Sequence, residues 1–77
     1  MKVKFFASLK DFFGIEMILE VKPATVSELY MILVKLKPES EDLLKKCRFA
    51  INNSFVPINT SLENTDEVLA MPPSSGG

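Results

Sequence analysis

The stretch of this 77-residue chain best suited to chemistry is its last six residues, Pro72-Pro73-Ser74-Ser75-Gly76-Gly77. Two prolines fix their own φ angles and discourage strand pairing, so they launch the chain away from whatever precedes them. The four residues beyond reach roughly 13 to 14 Å when extended. Glycine at both final positions lets the end pass through a channel too narrow for other residues and adopt unusual φ angles. An α-carboxylate on Gly77 is ionised at neutral pH and is a poor electrophile, so acyl chemistry there needs prior activation by a partner enzyme. The competing reading is a frayed terminus that happens to end in Gly-Gly.

Little else in the chain offers reactive chemistry. Histidine is absent, which removes Ser-His and Cys-His nucleophiles and most zinc constellations. Cys47, flanked by Lys45, Lys46 and Arg48, reads as a small side chain at a strand start rather than a nucleophile. Glu39, Glu41 and Asp42 read as a solvated first helical turn, not an acid–base cluster. Gly14 stands alone, so there is no phosphate-cradling loop. Nine Lys/Arg against ten Asp/Glu give a net charge of −1, which offers no field for a nucleic-acid backbone. A lone cysteine fits a reducing, cytoplasmic compartment. The longest apolar run, Leu29 to Val34, is too short to span a bilayer, so no membrane role is expected.

The elements that must hold the tail follow from the hydrophobic pattern. Met1 to Ala7 alternates as a strand, with Phe6 out of phase; Ser8 to Phe13 is a turn closed by Gly14; Ile15 to Lys22 alternates again, with Met17, Leu19 and Val21 on one side. Thr25-Val26-Ser27-Glu28 has the spacing of a capping box, and Val26, Leu29, Leu33 and Leu36 share one helical face until Pro38 stops the helix. Because Tyr30 to Val34 is apolar on nearly every side, a strand competes there, and the cap favours the helix. Glu39 to Lys46 places acids before bases, as a short second helix prefers. Arg48 to Asn52, a turn at Asn53-Ser54, and Phe55 to Ile58 make a hairpin, and Val68 to Met71 is the last strand. The expected fold is α+β: a mixed sheet of about five strands on one main helix, with a domain over residues 1–73 and a flexible tail over 74–77.

In order along the chain, Val3-Lys4-Phe5-Phe6-Ala7, Ala50-Ile51-Asn52-Asn53, Thr65-Asp66-Glu67-Val68 and the Pro-Pro-x-x-Gly-Gly end resemble the ubiquitin-like β-grasp sulfur carriers, and within them the small subunits of molybdopterin synthase. The resemblance covers essentially the whole chain. It implies that an ATP-dependent, ubiquitin-activating-like enzyme adenylates Gly77 and that a sulfur donor then converts the adenylate to a thiocarboxylate. No cofactor is held permanently; the ATP is used by the partner. It further implies that the tail, from Pro72 through Gly76, enters the large catalytic subunit in a heterotetramer of two small and two large subunits. There sulfur passes to cyclic pyranopterin monophosphate, with two charged carriers used per molybdopterin. The chain would then be a non-catalytic, sulfur-carrying subunit of a transferase.

Phe6, Phe55 and Met71 are candidate partner contacts: on a shared helix-free face they form an apolar patch, the alternative being that they complete a small core. The family commonly has glycine before the Asp-Glu of the last turn. Thr65 stands there instead, leaving Asn64 as the candidate left-handed residue in a shifted turn. Three other functions compete: a carrier for another pathway such as thiamine, whose members usually lack the Pro-Pro; a modifier joined to target lysines; and an interaction module with an idle tail.

Overall fold

Strict alternation in β1 (Lys2–Phe5) buries Val3 and Phe5 and leaves Lys2 and Lys4 half-exposed. The structure, a computed structural model, describes residues 1–73. β1 ends at Phe5 rather than Ala7, because Ala7 takes φ 51°, a left-handed conformation that breaks the extended run. The segment expected to be a simple turn is a 3₁₀ turn, Ala7–Leu9, running into the single-turn α1 (Lys10–Phe13), with Leu9 wholly buried. Gly14 at φ 80° then returns the chain to the sheet.

β2 (Glu16–Ile18) is three residues long, not the eight expected. Its antiparallel partner runs out: Lys2 pairs with Ile18, and the last bond is from the Leu19 N–H to the Met1 carbonyl at 2.8 Å. Past that point Leu19 still turns into the core, but Val21 is 63 % exposed.

The main helix, α2 (Val26–Leu36), begins where its cap predicts. Thr25 Oγ1 accepts from the Glu28 N–H at 3.2 Å, while Glu28 Oε1 accepts from the Ala24 N–H, one residue before the usual capping-box donor. Val26, Leu29 and Leu33 are completely buried against the sheet. Leu36, expected on the same stripe, is 51 % exposed, since the helix has by then run past the sheet and Lys37 already leaves helical geometry. A 3₁₀ turn over Pro38–Ser40 and α3 (Glu41–Leu44) supply the expected second helix. Within it the buried Ser40 hydroxyl donates to the Lys37 carbonyl at 2.7 Å, so the one buried polar side chain among the described residues is satisfied.

β3 (Arg48–Ile51) and β4 (Ser54–Val56) form the second hairpin. Its turn residues are Asn52 and Asn53, one position earlier than expected, at φ 51° and 68°. Two consecutive left-handed residues define the turn that matches strand twist, and asparagine tolerates that conformation better than serine. Asn64, by contrast, has no positive φ; the approach to the last strand is made without a left-handed residue. The intervening loop is pinned instead by Leu62, fully buried, whose N–H bonds the Ala24 carbonyl at 2.8 Å.

β5 (Glu67–Met71) inserts between β1 and β3, parallel to the first and antiparallel to the second, in the order β2-β1-β5-β3-β4. This is the ubiquitin-like β-grasp arrangement. Val68 and Ala70 face α2 along with Val3, Phe5 and Phe49, which closes a single core. Among the described residues no helix is long and apolar enough to cross a membrane.

Candidate functional site

The last strand is the central one, so the tail leaves the best-anchored part of the sheet. Met71 sits in register with Arg48, and Phe5 with Ala70, so the ends of β1 and β5 and the start of β3 lie together where the chain exits through Pro72 and Pro73. Pro72 is half-buried and Pro73 exposed. Ser74, Ser75, Gly76 and Gly77 lie outside the described residues.

Strand register settles which face the apolar candidates occupy. Val68 and Ala70 point to the helix, so Leu69 and Met71 point away from it. Ala50 pairs with both Phe55 and Leu69, which makes Phe55, Ala50 and Leu69 one cross-strand row on the helix-free face. Phe6 continues β1 by one extended residue, its N–H bonding the Ala70 carbonyl at 3.3 Å, and so turns to the side opposite Phe5. Phe6 and Phe55 are 39 % and 48 % exposed, and Leu69 and Met71 are half-buried. The three residues named from the sequence therefore share the helix-free face instead of completing the core. Two members of the patch were missed. Leu69 alternates with Val68 as Met71 does, a signal present in the sequence; Arg48 was legible only as a strand residue. Its guanidinium lies over the Phe55 ring, 3.9 Å from the centroid.

Charges elsewhere on this face are largely self-compensated. Lys2 approaches Glu16 at 3.9 Å and Lys4 approaches Glu67 at 3.8 Å. Such exposed pairs add little stability, but they leave the flank of the patch near neutral.

Cys47 lies just before β3, with its Sγ donating to the Leu43 carbonyl at 3.2 Å. Burial pushes its pKa up to about 11 from an ordinary 9.0. The thiolate is thus scarce at neutral pH, in keeping with a packing role. Alkylation by iodoacetamide at neutral pH is accordingly expected to run at least about tenfold slower than for free cysteine, and to recover full speed in denaturant. A native rate equal to the denatured one would show that burial does not suppress the thiolate, and a faster native rate would show an activated thiol. A polar hollow lined by Asn52, Asn53, Asn64, Thr65 and Asp66 lies at the opposite end of the sheet from the tail, and no metal-binding cluster occurs among the described residues.

A family model described as the ThiS family matches residues 3–77. Among solved structures, SAMP1 of Haloferax volcanii is 24 % identical with a TM-score of 0.81, covering 100 % of this chain and 98 % of its own. Subunit 1 in the complex of subunits 1 and 2 of molybdopterin-converting factor from Helicobacter pylori is 27 % identical with a TM-score of 0.70, covering 99 % and 96 %. A Pyrococcus furiosus protein assigned as molybdopterin converting factor subunit 1 is 23 % identical, with a TM-score of 0.78 and 95 % coverage of both chains. No curated protein matches the chain.

Proposed function

The chain belongs to the ThiS family of ubiquitin-like sulfur carriers, and we propose that it is the small, sulfur-carrying subunit of a molybdopterin synthase, with Gly77 as the group that is charged and discharged. One observation carries this reading: the Pro-Pro-Ser-Ser-Gly-Gly end directly follows the central strand β5, beside an exposed apolar patch on the helix-free face. The likeness to a subunit that is complexed with a second subunit in H. pylori supports a large-subunit partner.

The chemistry divides between carrier and partners. In the activating step the Gly77 carboxylate attacks the α-phosphorus of ATP, held by an adenylating enzyme, and pyrophosphate leaves. Sulfur supplied at the sulfide level then attacks the acyl carbon and displaces AMP, leaving a thiocarboxylate. In the synthase the thiocarboxylate sulfur bonds to a carbon of cyclic pyranopterin monophosphate, and water then cleaves the acyl carbon–sulfur bond, leaving the sulfur on the pterin and restoring the terminal carboxylate. The carrier contributes reach, narrowness and presentation: two glycines at the reacting end, two prolines that direct it, and a rigid body whose patch is covered on docking. None of its own side chains need touch the reacting atoms.

Incubation with its adenylating enzyme, ATP and a sulfur donor is expected to replace one oxygen by sulfur, read by intact mass spectrometry and located in the C-terminal peptide. A chain that keeps a plain carboxylate under conditions that charge a known carrier would defeat the proposal. Accumulation of high-mass conjugates in cells, with no thiocarboxylate, would favour a protein modifier.

A further inference from the structure

The cation that the helix-free face does not compensate is Arg48. Lys2 and Lys4 each have a carboxylate within 4.0 Å, whereas Arg48 has neither an ion pair nor a hydrogen bond among the described residues. It is nonetheless held in place. The Phe55 ring stacks against the guanidinium at 3.9 Å, and because the guanidinium donors lie in its own plane, stacking leaves its N–H edges open. Its position ties it to the tail: Arg48 is the register partner of Met71, one residue before Pro72. A planar fork of donors, fixed on an aromatic ring at the edge of an apolar patch, is matched by a carboxylate that becomes desolvated when the patch is covered.

We propose that Arg48 is the charged anchor of the docking face, pairing with an Asp or Glu carboxylate that the large subunit presents beside the point where it takes in the tail. The inference rests on the carrier reading above and adds the chemistry of the partner surface. A protein carboxylate fits better than a phosphate. The donors sit among apolar neighbours, with no glycine-rich loop to share an anion, and the chain's net charge of −1 gives a polyanion no general attraction. Lys45 and Lys46, exposed just ahead of β3 and also without ion pairs among the described residues, add positive potential around the same exit. The acids nearest in sequence, Glu41 and Asp42, begin α3 and pair with neither lysine.

The test is equilibrium binding of the full-length carrier to its large subunit at low and high salt. Arg48→Ala is expected to weaken binding about 10- to 100-fold, and Arg48→Lys less, since a lysine keeps the charge but loses the fork and the stack. Arg48→Glu is expected to weaken it further and to reverse the salt response, so that its affinity rises with salt where the wild type's falls. Lys35→Glu, the same charge change on the exposed outer side of α2, serves as the control and is expected to bind like wild type within about threefold. Thermal melts establish that every variant is folded, with Arg48→Gln replacing any that is not. Equal losses for Arg48→Glu and Lys35→Glu, or an unchanged salt response in Arg48→Glu, overturn the pairing while leaving the carrier reading intact. A folded wild-type carrier that does not bind the large subunit overturns both.

Discussion

Adding a single tryptophan after Gly77 is expected to reduce thiocarboxylate formation at least about a thousandfold while leaving the thermal melt unchanged. The added residue moves the carboxylate about 3.5 Å along the chain and places an indole where the activating site expects a bare backbone. A misplacement of about 1 Å at a reacting centre already costs around a hundredfold, and steric exclusion from a glycine-width passage adds to it. Deleting Gly76 and Gly77 should be as severe, because the shortened tail withdraws the carboxylate and ends it on a residue with a side chain. Single-turnover adenylation, read as pyrophosphate release, measures both. Gly77→Ala is the milder counterpart: it keeps the length and adds one methyl, so partial activity is expected.

The same variants separate the carrier from a body-only function. A module that binds partners through its sheet and leaves its tail idle would tolerate the extension, since nothing in β1, β3 or β5 is altered. Full complementation of cofactor supply by the extended chain in cells lacking this protein would therefore remove Gly77 from the mechanism.

Why the fold was so readable lies in a few residues. Thr25 and Glu28 marked the start of α2 to the residue, because a cap is a local hydrogen-bond pattern that needs no tertiary partner. The strand period of β5 set Met71 opposite Val68 and Ala70, leaving two choices of face, and the pairing with β1 and β3 shows that Val68 and Ala70 take the helix side. What failed was non-local. The length of β2 is set by where β1 begins, 15 or so residues away, and no property of Ile15 to Lys22 encodes that limit. Leu36 continued a helical stripe that the sheet beneath it did not, so the pattern overran its partner. Leu62 was hidden in a polar stretch, and the bonds that pin its loop, to Ala24, Val26 and Ser27, join residues more than 30 positions apart. In the candidate site, Phe6 was visible as a break in phase, Met71 as the residue opposite in phase to Val68 and Ala70, and Phe55 as the aromatic that opens the strand after the turn. Arg48 was not, because its place over the Phe55 ring depends on a cross-strand neighbour rather than on any motif.

Phe5 and Phe6 put that one-residue logic to its most demanding test. Phe5 is buried in the core, in register with Ala70 and stacked on Phe13 at 4.6 Å with an interplanar angle of 13°. Phe5→Ala is expected to cost about 3–5 kcal/mol, from lost transfer energy plus the cavity left behind. A domain of this length has only roughly 4–12 kcal/mol to lose. The melting temperature should therefore fall by more than about 12 °C, and part of the population should unfold at physiological temperature. Phe6→Ala truncates the same ring one position later, but on the helix-free face proposed for docking. Its stability cost should stay below about 1 kcal/mol, since much of the ring already meets solvent. Its effect should appear instead in the large-subunit dissociation constant, raised about tenfold. Urea titration and equilibrium binding on both variants give four numbers, and the expected pattern is crossed. Should Phe6→Ala destabilise the fold as much as Phe5→Ala and bind normally once folded, the helix-free face would be core and the docking surface would have to lie elsewhere.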